Sequence, residues 1–130
     1  MTRMEETEAL RARTDVHYNC CQSVLVPFAD LCGLDKETAF KLGANFGSGM
    51  RHGSTCGAVS GALMVLGLLG CDEKQSTALL RDFRTRHGAL DCADLLRASK
   101  ERGELRKDHC DSLVLEMSRF LEELLREQST

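Results

Sequence analysis

The chain carries seven cysteines, and four of them follow residues that start helices. The groupings are Asn19-Cys20, Thr55-Cys56, Asp91-Cys92 and, one residue later, Asp108-His109-Cys110. Asn, Thr and Asp side chains cap the free amides of a helix's first turn. A cysteine in that turn sits at the positive end of the helix dipole, where thiolate is favoured over thiol. Thiolates bind soft metals and carry out redox chemistry. Four thiols placed this way point to one site assembled from Cys20, Cys56, Cys92 and Cys110.

No two cysteines have the C-x-x-C spacing of a zinc ribbon or a thioredoxin. Free cysteine is also among the most buried residue types, so each could simply fill core volume. That reading suits Cys21 and Cys32, on the apolar face with Leu25 and Phe28. It also suits Cys71, about 22 Å from Cys56 along a helix rising ~1.5 Å per residue. Cys110 begins a core stripe, so packing is an alternative for it too.

Four thiolates suit a zinc tetrahedron or an iron–sulfur cluster. Zinc held by four cysteines is closed and structural, whereas a cluster transfers single electrons. The loop Gly47-Ser48-Gly49-Met50-Arg51-His52-Gly53, with Gly57 beyond it, can turn backbone amides toward the sulfurs. Such donors raise a cluster's potential; the plainer reading is a connector that needs positive φ. No strand precedes the loop and the P-loop Lys-Ser/Thr is missing, so it is not a nucleotide site. His17, His52 and His109 could substitute as ligands, although a lone histidine is more often a surface or satisfied residue.

The elements that must position these residues are helical. Apolar residues recur at helical spacing, with a single proline, Pro27, and no period-two alternation. The spacing predicts helices over Glu5–Arg13, Asn19–Leu31 (kinked or changing type at Pro27), and Asp35–Phe46. Further helices run from Thr55 to Leu69, from Asp72 to a stop at Gly88, briefly after Asp91, and from Asp108 to Arg126. The stretch Ala58–Leu69 is apolar nearly all round and reads as the buried central helix. Its Gly57, Gly61 and Ala62 would admit a close neighbour. Residues 98–107 are charged, contain Gly103 and read as an exposed connector. The expected fold is all-α: a compact multi-helix bundle in one domain, 1–130, around that central helix.

Hydrophobic residues make up 42% of the 130 and aromatics 5%, so small aliphatic packing must build the core. The net charge of -3, with no basic stripe, argues against nucleic-acid binding. The polar segment Met1–Thr14 lacks the apolar region of a signal peptide. The longest apolar run, Ala58–Leu69, is short of the ~20 residues of a membrane span. A cytoplasmic protein with reduced thiols is the expectation, and an odd cysteine count agrees.

The segments Asn19-Cys20-Cys21-Gln22-Ser23-Val24-Leu25 and Gly53-Ser54-Thr55-Cys56-Gly57-Ala58-Val59-Ser60-Gly61-Ala62-Leu63, followed by Cys92 and Cys110, resemble a known family. These are the small redox-active proteins labelled C_GCAxxG_C_C, similar in turn to the non-haem part of the split-Soret cytochromes. The resemblance runs from Tyr18 to Leu125, and the family label's Gly-Cys-Ala reads Cys56-Gly57-Ala58 here. It maps the four signature cysteines onto Cys20, Cys56, Cys92 and Cys110. It implies an all-helical fold and a cysteine-based redox or metal role.

The first expectation is therefore an electron-transfer protein whose four cysteines hold an iron–sulfur cluster or another metal, served by a redox partner protein. One rival is a structural zinc module. The other is a metal-free thiol–disulfide protein in which Cys56 attacks and another signature cysteine resolves. Surplus apolar helix faces leave room for a homodimer.

Overall fold

A computed structural model describes residues 2–128; Met1, Ser129 and Thr130 of the expected 1–130 domain lie outside the described residues. Among the described residues there are seven α-helices: α1 Arg3–Ala12, α2 Cys20–Ala29, α3 Lys36–Leu42, α4 Gly57–Leu68, α5 Glu73–His87, α6 Cys92–Glu101 and α7 Arg106–Gln128. They contain no strand, only one isolated antiparallel bridge, Thr55 to Asp91. The architecture is the expected all-α bundle.

Local chemistry explains most boundaries. Thr2 and Glu5, Asn19 and Gln22, and Asp72 and Gln75 close reciprocal capping boxes at the starts of α1, α2 and α5. Asp35 accepts from the Thr38 amide and starts α3. Gly88 ends α5 in the left-handed region at φ 82°. Helix α2 runs two residues past Pro27 and then tightens into a 3₁₀ turn over Asp30–Cys32, the expected change of helix. The third predicted helix is shorter than expected, because a 3₁₀ turn replaces it over Gly43–Asn45.

The core is aliphatic with two phenylalanines. Val24, Leu25, Phe28, Val59, Val65, Leu66, Phe83, Val114, Met117 and Leu121 are fully buried. Helix α4 shares the centre with α2, which is the more completely enclosed of the two: every residue from Cys21 to Ala29 is buried. The end of α4 comes to the surface, with Leu68 41% exposed. Glycine makes the α2–α4 seam close. A Cβ on Gly57 would stand 3.0 Å from the Cys20 Cβ and 2.9 Å from the Phe46 carbonyl. One on Gly61 would stand 2.8 Å from the Cys21 carbonyl oxygen.

Helix α1 lies on α7. Thr7 and Ser118 share a hydrogen bond of 3.2 Å within that buried contact. The Arg11 Nε donates to Asp111 at 2.7 Å and its Nη1 to the Tyr18 carbonyl at 3.0 Å.

The expected connector is shorter than 98–107. Helix α6 continues to Glu101, and Ser99 is 2% exposed. Leu95 and Ser99, one turn apart, turn the same face of α6 inward, so its last turn stays packed despite its charges. The Ser99 hydroxyl donates to Glu104 at 2.7 Å, which draws the chain back toward α7. Only residues 102–105 link the two helices. Among the described residues, no helix is long and apolar enough to cross a membrane.

Candidate functional site

Four different elements deliver the signature cysteines to one cavity, lined by Cys20, Cys56, Cys92 and Cys110 together with Ser48, Gly57, Leu95, Leu96, Arg106, His109 and Leu113. The cavity volume is about 40 Å³. That suffices for about three waters or one compact guest. Cys21, Cys32 and Cys71 do not line it. Cys21 is fully buried behind Cys20, with its thiol 3.7 Å from the Met64 sulfur.

Three devices hold the four cysteines. Cys20 is the first residue of α2, secured by the Asn19–Gln22 box. The Asn19 Nδ2 also donates to the Gly43 carbonyl at 3.1 Å, tying this helix start to the segment beyond α3. Cys56 and Cys92 are set side by side by the short bridge. The Cys56 amide donates to the Leu90 carbonyl at 2.9 Å and the Cys92 amide to the Ser54 carbonyl at 2.6 Å. Cys110 projects from the second turn of α7.

Two helix-start expectations need correction. Thr55 does not cap α4: it pairs with Asp91 in the bridge, and Cys56 itself occupies the N-cap. The Ala58 and Val59 amides therefore face the Cys56 sulfur and favour its thiolate, without closing a regular cap hydrogen bond. Cys110 is not in a first turn, because α7 begins at Arg106. The charge expected from a helix start comes instead from a side chain, the Arg106 guanidinium one turn earlier. Cys92 does begin α6 after Asp91, although the Asp91 side chain makes no cap bond.

The four thiols do not share charge equally. Burial pushes Cys56 up to about 11, opposed by the amides of Val59 and Ala58. Burial also raises Cys92, helped by the charge on Cys110. Their mutual influence moves Cys20 and Cys110 in opposite directions, Cys20 up and Cys110 down. Cys110 is drawn down to about 6, first by the proton offered from Cys20, then, against burial, by Arg11 and Arg106. Cys20 is raised by the same contact, by burial and by the Cys110 charge. Close negative charges repel, so a thiolate at Cys110 disfavours ionisation of Cys20, Cys56 and Cys92.

The glycine-rich loop serves packing. A Cβ on Gly47 would stand 2.6 Å from the Asn19 Cβ, one on Gly49 2.3 Å from the Ser54 carbonyl and 2.8 Å from the Cys92 Cβ, and one on Gly53 3.0 Å from the Ala93 Cβ. Of the four glycines expected at a cofactor, only Gly57 lines the cavity. Ser48, Gly49, Met50, Arg51 and Gly53 all have positive φ, so the loop makes a left-handed turn beside Cys92. Ser48 accepts a long hydrogen bond of 3.4 Å from Arg106. His17 and His52 are exposed and away from the cavity, whereas His109 is buried and lines it.

The all-sulfur donor set has the chemistry for a soft or borderline metal. As the side chains stand, no group of three or more His, Cys, Asp or Glu among the described residues is placed to hold a metal ion. The arrangement supports thiol chemistry directly. Sequence reasoning missed Arg11 and Arg106. The spacing of Arg106 to Cys110, one helical turn, was an available signal; Arg11 reaches the site only through the α1–α7 packing.

A family model described as "Putative redox-active protein (C_GCAxxG_C_C)" matches residues 18–124. No curated protein and no solved structure matches the chain.

Proposed function

Because the chain belongs to the C_GCAxxG_C_C family, we propose that it is a dithiol–disulfide redox protein in which Cys110 is the nucleophile and Cys20 the resolving thiol. The observation that carries this reading is the convergence of Cys20, Cys110 and Arg106 on one small cavity, where Cys20, Arg11 and Arg106 favour the Cys110 thiolate while Cys20 is raised. The attacking role expected of Cys56 passes to Cys110. Cys56 is 5% exposed and burial keeps it protonated, whereas Cys110 is half-buried and ionised.

The exchange balances within the pair. The Cys110 thiolate attacks one sulfur of an oxidised disulfide substrate, forming one S–S bond and breaking another, and a thiolate leaves. That leaving thiolate takes the Cys20 proton. The Cys20 thiolate then attacks the Cys110 sulfur, forming the Cys20–Cys110 disulfide and releasing the second substrate sulfur as a thiolate. Two electrons pass from the protein to the substrate. The test is oxidation of the reduced protein by glutathione disulfide, followed by peptide mapping without reductant. A Cys20–Cys110 linkage is expected; a different pairing, or none, would overturn the assignment.

A second reading rests on the lining of one cavity by all four thiols: a metal or iron–sulfur site held by Cys20, Cys56, Cys92 and Cys110. It requires these side chains to reorient, since no three ligands are now gathered. Bound metal would remove thiolate repulsion and stabilise the fold. Anaerobic reconstitution with iron and sulfide should then raise the melting temperature of the wild type but not of Cys56→Ser. Equal shifts in both proteins, or none in either, exclude a cluster held by Cys56.

A further inference from the structure

His109 lines the cavity, and the exchange just described does not use it. Its ring is 6% exposed, and its Nε2 is buried with no hydrogen-bond partner among the described residues. The other ring nitrogen, Nδ1, faces the Glu104 carboxylate at 3.7 Å. Glu104 is itself fixed, accepting from the Ser99 hydroxyl at 2.7 Å and pairing with Arg102 at 3.1 Å. A carboxylate on that side favours the Nδ1–H tautomer and leaves the lone pair on Nε2. A buried acceptor without a donor is costly and is normally matched by a guest or a water. The cavity it lines is small, about 40 Å³, and holds the Cys110 sulfur.

Resting on the dithiol reading above, we infer that Cys110 has a second oxidant besides a disulfide, a small hydroperoxide of the size of hydrogen peroxide, seated in this cavity with one O–H donated to His109 Nε2. The guest must be compact, must offer a hydrogen-bond donor to Nε2 and must accept a thiolate's electrons. Hydrogen peroxide does all three. A thiolate in a partly accessible site next to a resolving cysteine is the arrangement in which sulfenic acid forms and is captured as a disulfide.

The chemistry balances. The Cys110 thiolate attacks the nearer peroxide oxygen; the S–O bond forms and the O–O bond breaks. The proton on the attacked oxygen passes through Nε2 to the departing hydroxide, which leaves as water. Cys110 is now a sulfenate, oxidised by two electrons. The Cys20 thiol then attacks the Cys110 sulfur; the S–S bond forms, the S–O bond breaks, and the oxygen leaves as hydroxide with the Cys20 proton. A dithiol reductant restores both thiols.

The test uses the full reduced chain, with Cys110 sulfenate trapped by dimedone and the disulfide mapped by mass spectrometry. Hydrogen peroxide should oxidise Cys110 about tenfold or more faster than free cysteine at equal thiolate fraction, the scale of a positioned proton acceptor. Cumene hydroperoxide, too bulky for the cavity, should gain nothing over free cysteine. His109→Leu should abolish the peroxide enhancement and His109→Gln, which keeps an acceptor, should recover part of it. Alkylation of Cys110 by iodoacetamide, which needs no proton relay, should stay within about twofold in both variants. Peroxide oxidation no faster than free cysteine, with glutathione disulfide still producing the Cys20–Cys110 bond, overturns the hydroperoxide and leaves the dithiol reading standing. Absence of that disulfide with either oxidant overturns both. Equal rates for the two hydroperoxides remove the size selection. If His109→Leu fails to fold, peroxide selectivity in the wild type and the peroxide rate of His109→Gln decide between the outcomes: selectivity with a reduced rate in His109→Gln supports the seat, and no selectivity, or a His109→Gln rate equal to wild type, overturns it.

Discussion

Two glycines on one helix should respond to alanine in opposite directions. Gly61 and Gly67 both lie within α4 at ordinary helical φ. By helix propensity alone, Gly→Ala at either position should stabilise by about 0.5–1 kcal/mol. At Gly67 nothing lies within 4 Å of the new Cβ, so that gain should appear in full. At Gly61 the Cβ would stand 2.8 Å from the Cys21 carbonyl oxygen and 3.1 Å from the Val24 Cβ. The oxygen belongs to the backbone of α2 and cannot swing aside, so the whole helix must shift by tenths of an ångström. Overpacking of that kind costs about 1–3 kcal/mol, which outweighs the propensity gain and leaves a net loss of roughly 0.5–2 kcal/mol. Urea denaturation under reductant at constant m-value measures both changes. Since Cys20 adjoins the displaced carbonyl, the glutathione-driven Cys20–Cys110 disulfide should also form more slowly in Gly61→Ala and at the wild-type rate in Gly67→Ala. Equal stabilisation by both substitutions would refute the close α2–α4 seam.

Other consequences follow from the thiol electrostatics. Alkylation of Cys110 by iodoacetamide should rise with pH around a midpoint near 6 in the wild type. In Cys20→Ala, which lacks the proton donor, that midpoint should move up toward the ordinary thiol range; an unchanged midpoint near 6 would show that the arginines act alone. Arg106→Gln should raise the same midpoint by a smaller amount, because Cys20 remains the leading cause; a larger rise than in Cys20→Ala would reverse that order. Cys21 gives an alkaline signature: burial pushes it up to about 12 from an ordinary 9.0. Between those values the folded state keeps a proton that the unfolded state has lost, so stability falls as pH rises through the window. The slope is at most about 1.4 kcal/mol per pH unit. Urea titrations from pH 8 to 10.5 should show a shallower decline in Cys21→Ala than in the wild type, and parallel slopes would contradict the burial of that thiol.

How legible each part of the site was depended on the range of the interaction behind it. Asn19 and Gln22 cap α2 as their spacing dictates, because a capping box is complete within four residues. Thr55 and Asp91 carry the same kind of side chain but take part in a pairing between distant segments. That pairing gives the amides of Cys56 and Cys92 their acceptors, so the cysteine itself is left to occupy the cap of α4. No window around Thr55 contains the competing partner. The helical pattern before Cys110 misled for another reason. Asp108 is a good cap residue, yet α7 starts earlier at Arg106 and leaves Asp108 in the first turn, where an acidic side chain suits the dipole equally well. Gly57 and Gly61 were readable as sites of close approach, but the approaching backbone, at Cys20 and Cys21, was not.

These separate anchors have a common consequence for the chemistry. Cys20 is placed by the glycine seam between α2 and α4, and Cys56 and Cys92 by the bridge. Cys110 is placed by α7, where the next residue, Asp111, holds Arg11 of α1 at 2.7 Å. Neither the Cys20 donor nor the Arg11 guanidinium reaches Cys110 unless α1, α2 and α7 are packed together. Only Arg106, on its own helix, would accompany Cys110 in a locally folded α7. The low pKa of Cys110 is therefore largely a property of the assembled bundle, and nearly all of it should vanish on unfolding. Iodoacetamide reactivity at pH 7, followed through a urea titration, should then fall at Cys110 along the same transition as the helical signal, whereas buried Cys21 should become more reactive. A Cys110 rate that persists beyond the unfolding midpoint would mean that Arg106 and the local helix alone sustain the thiolate.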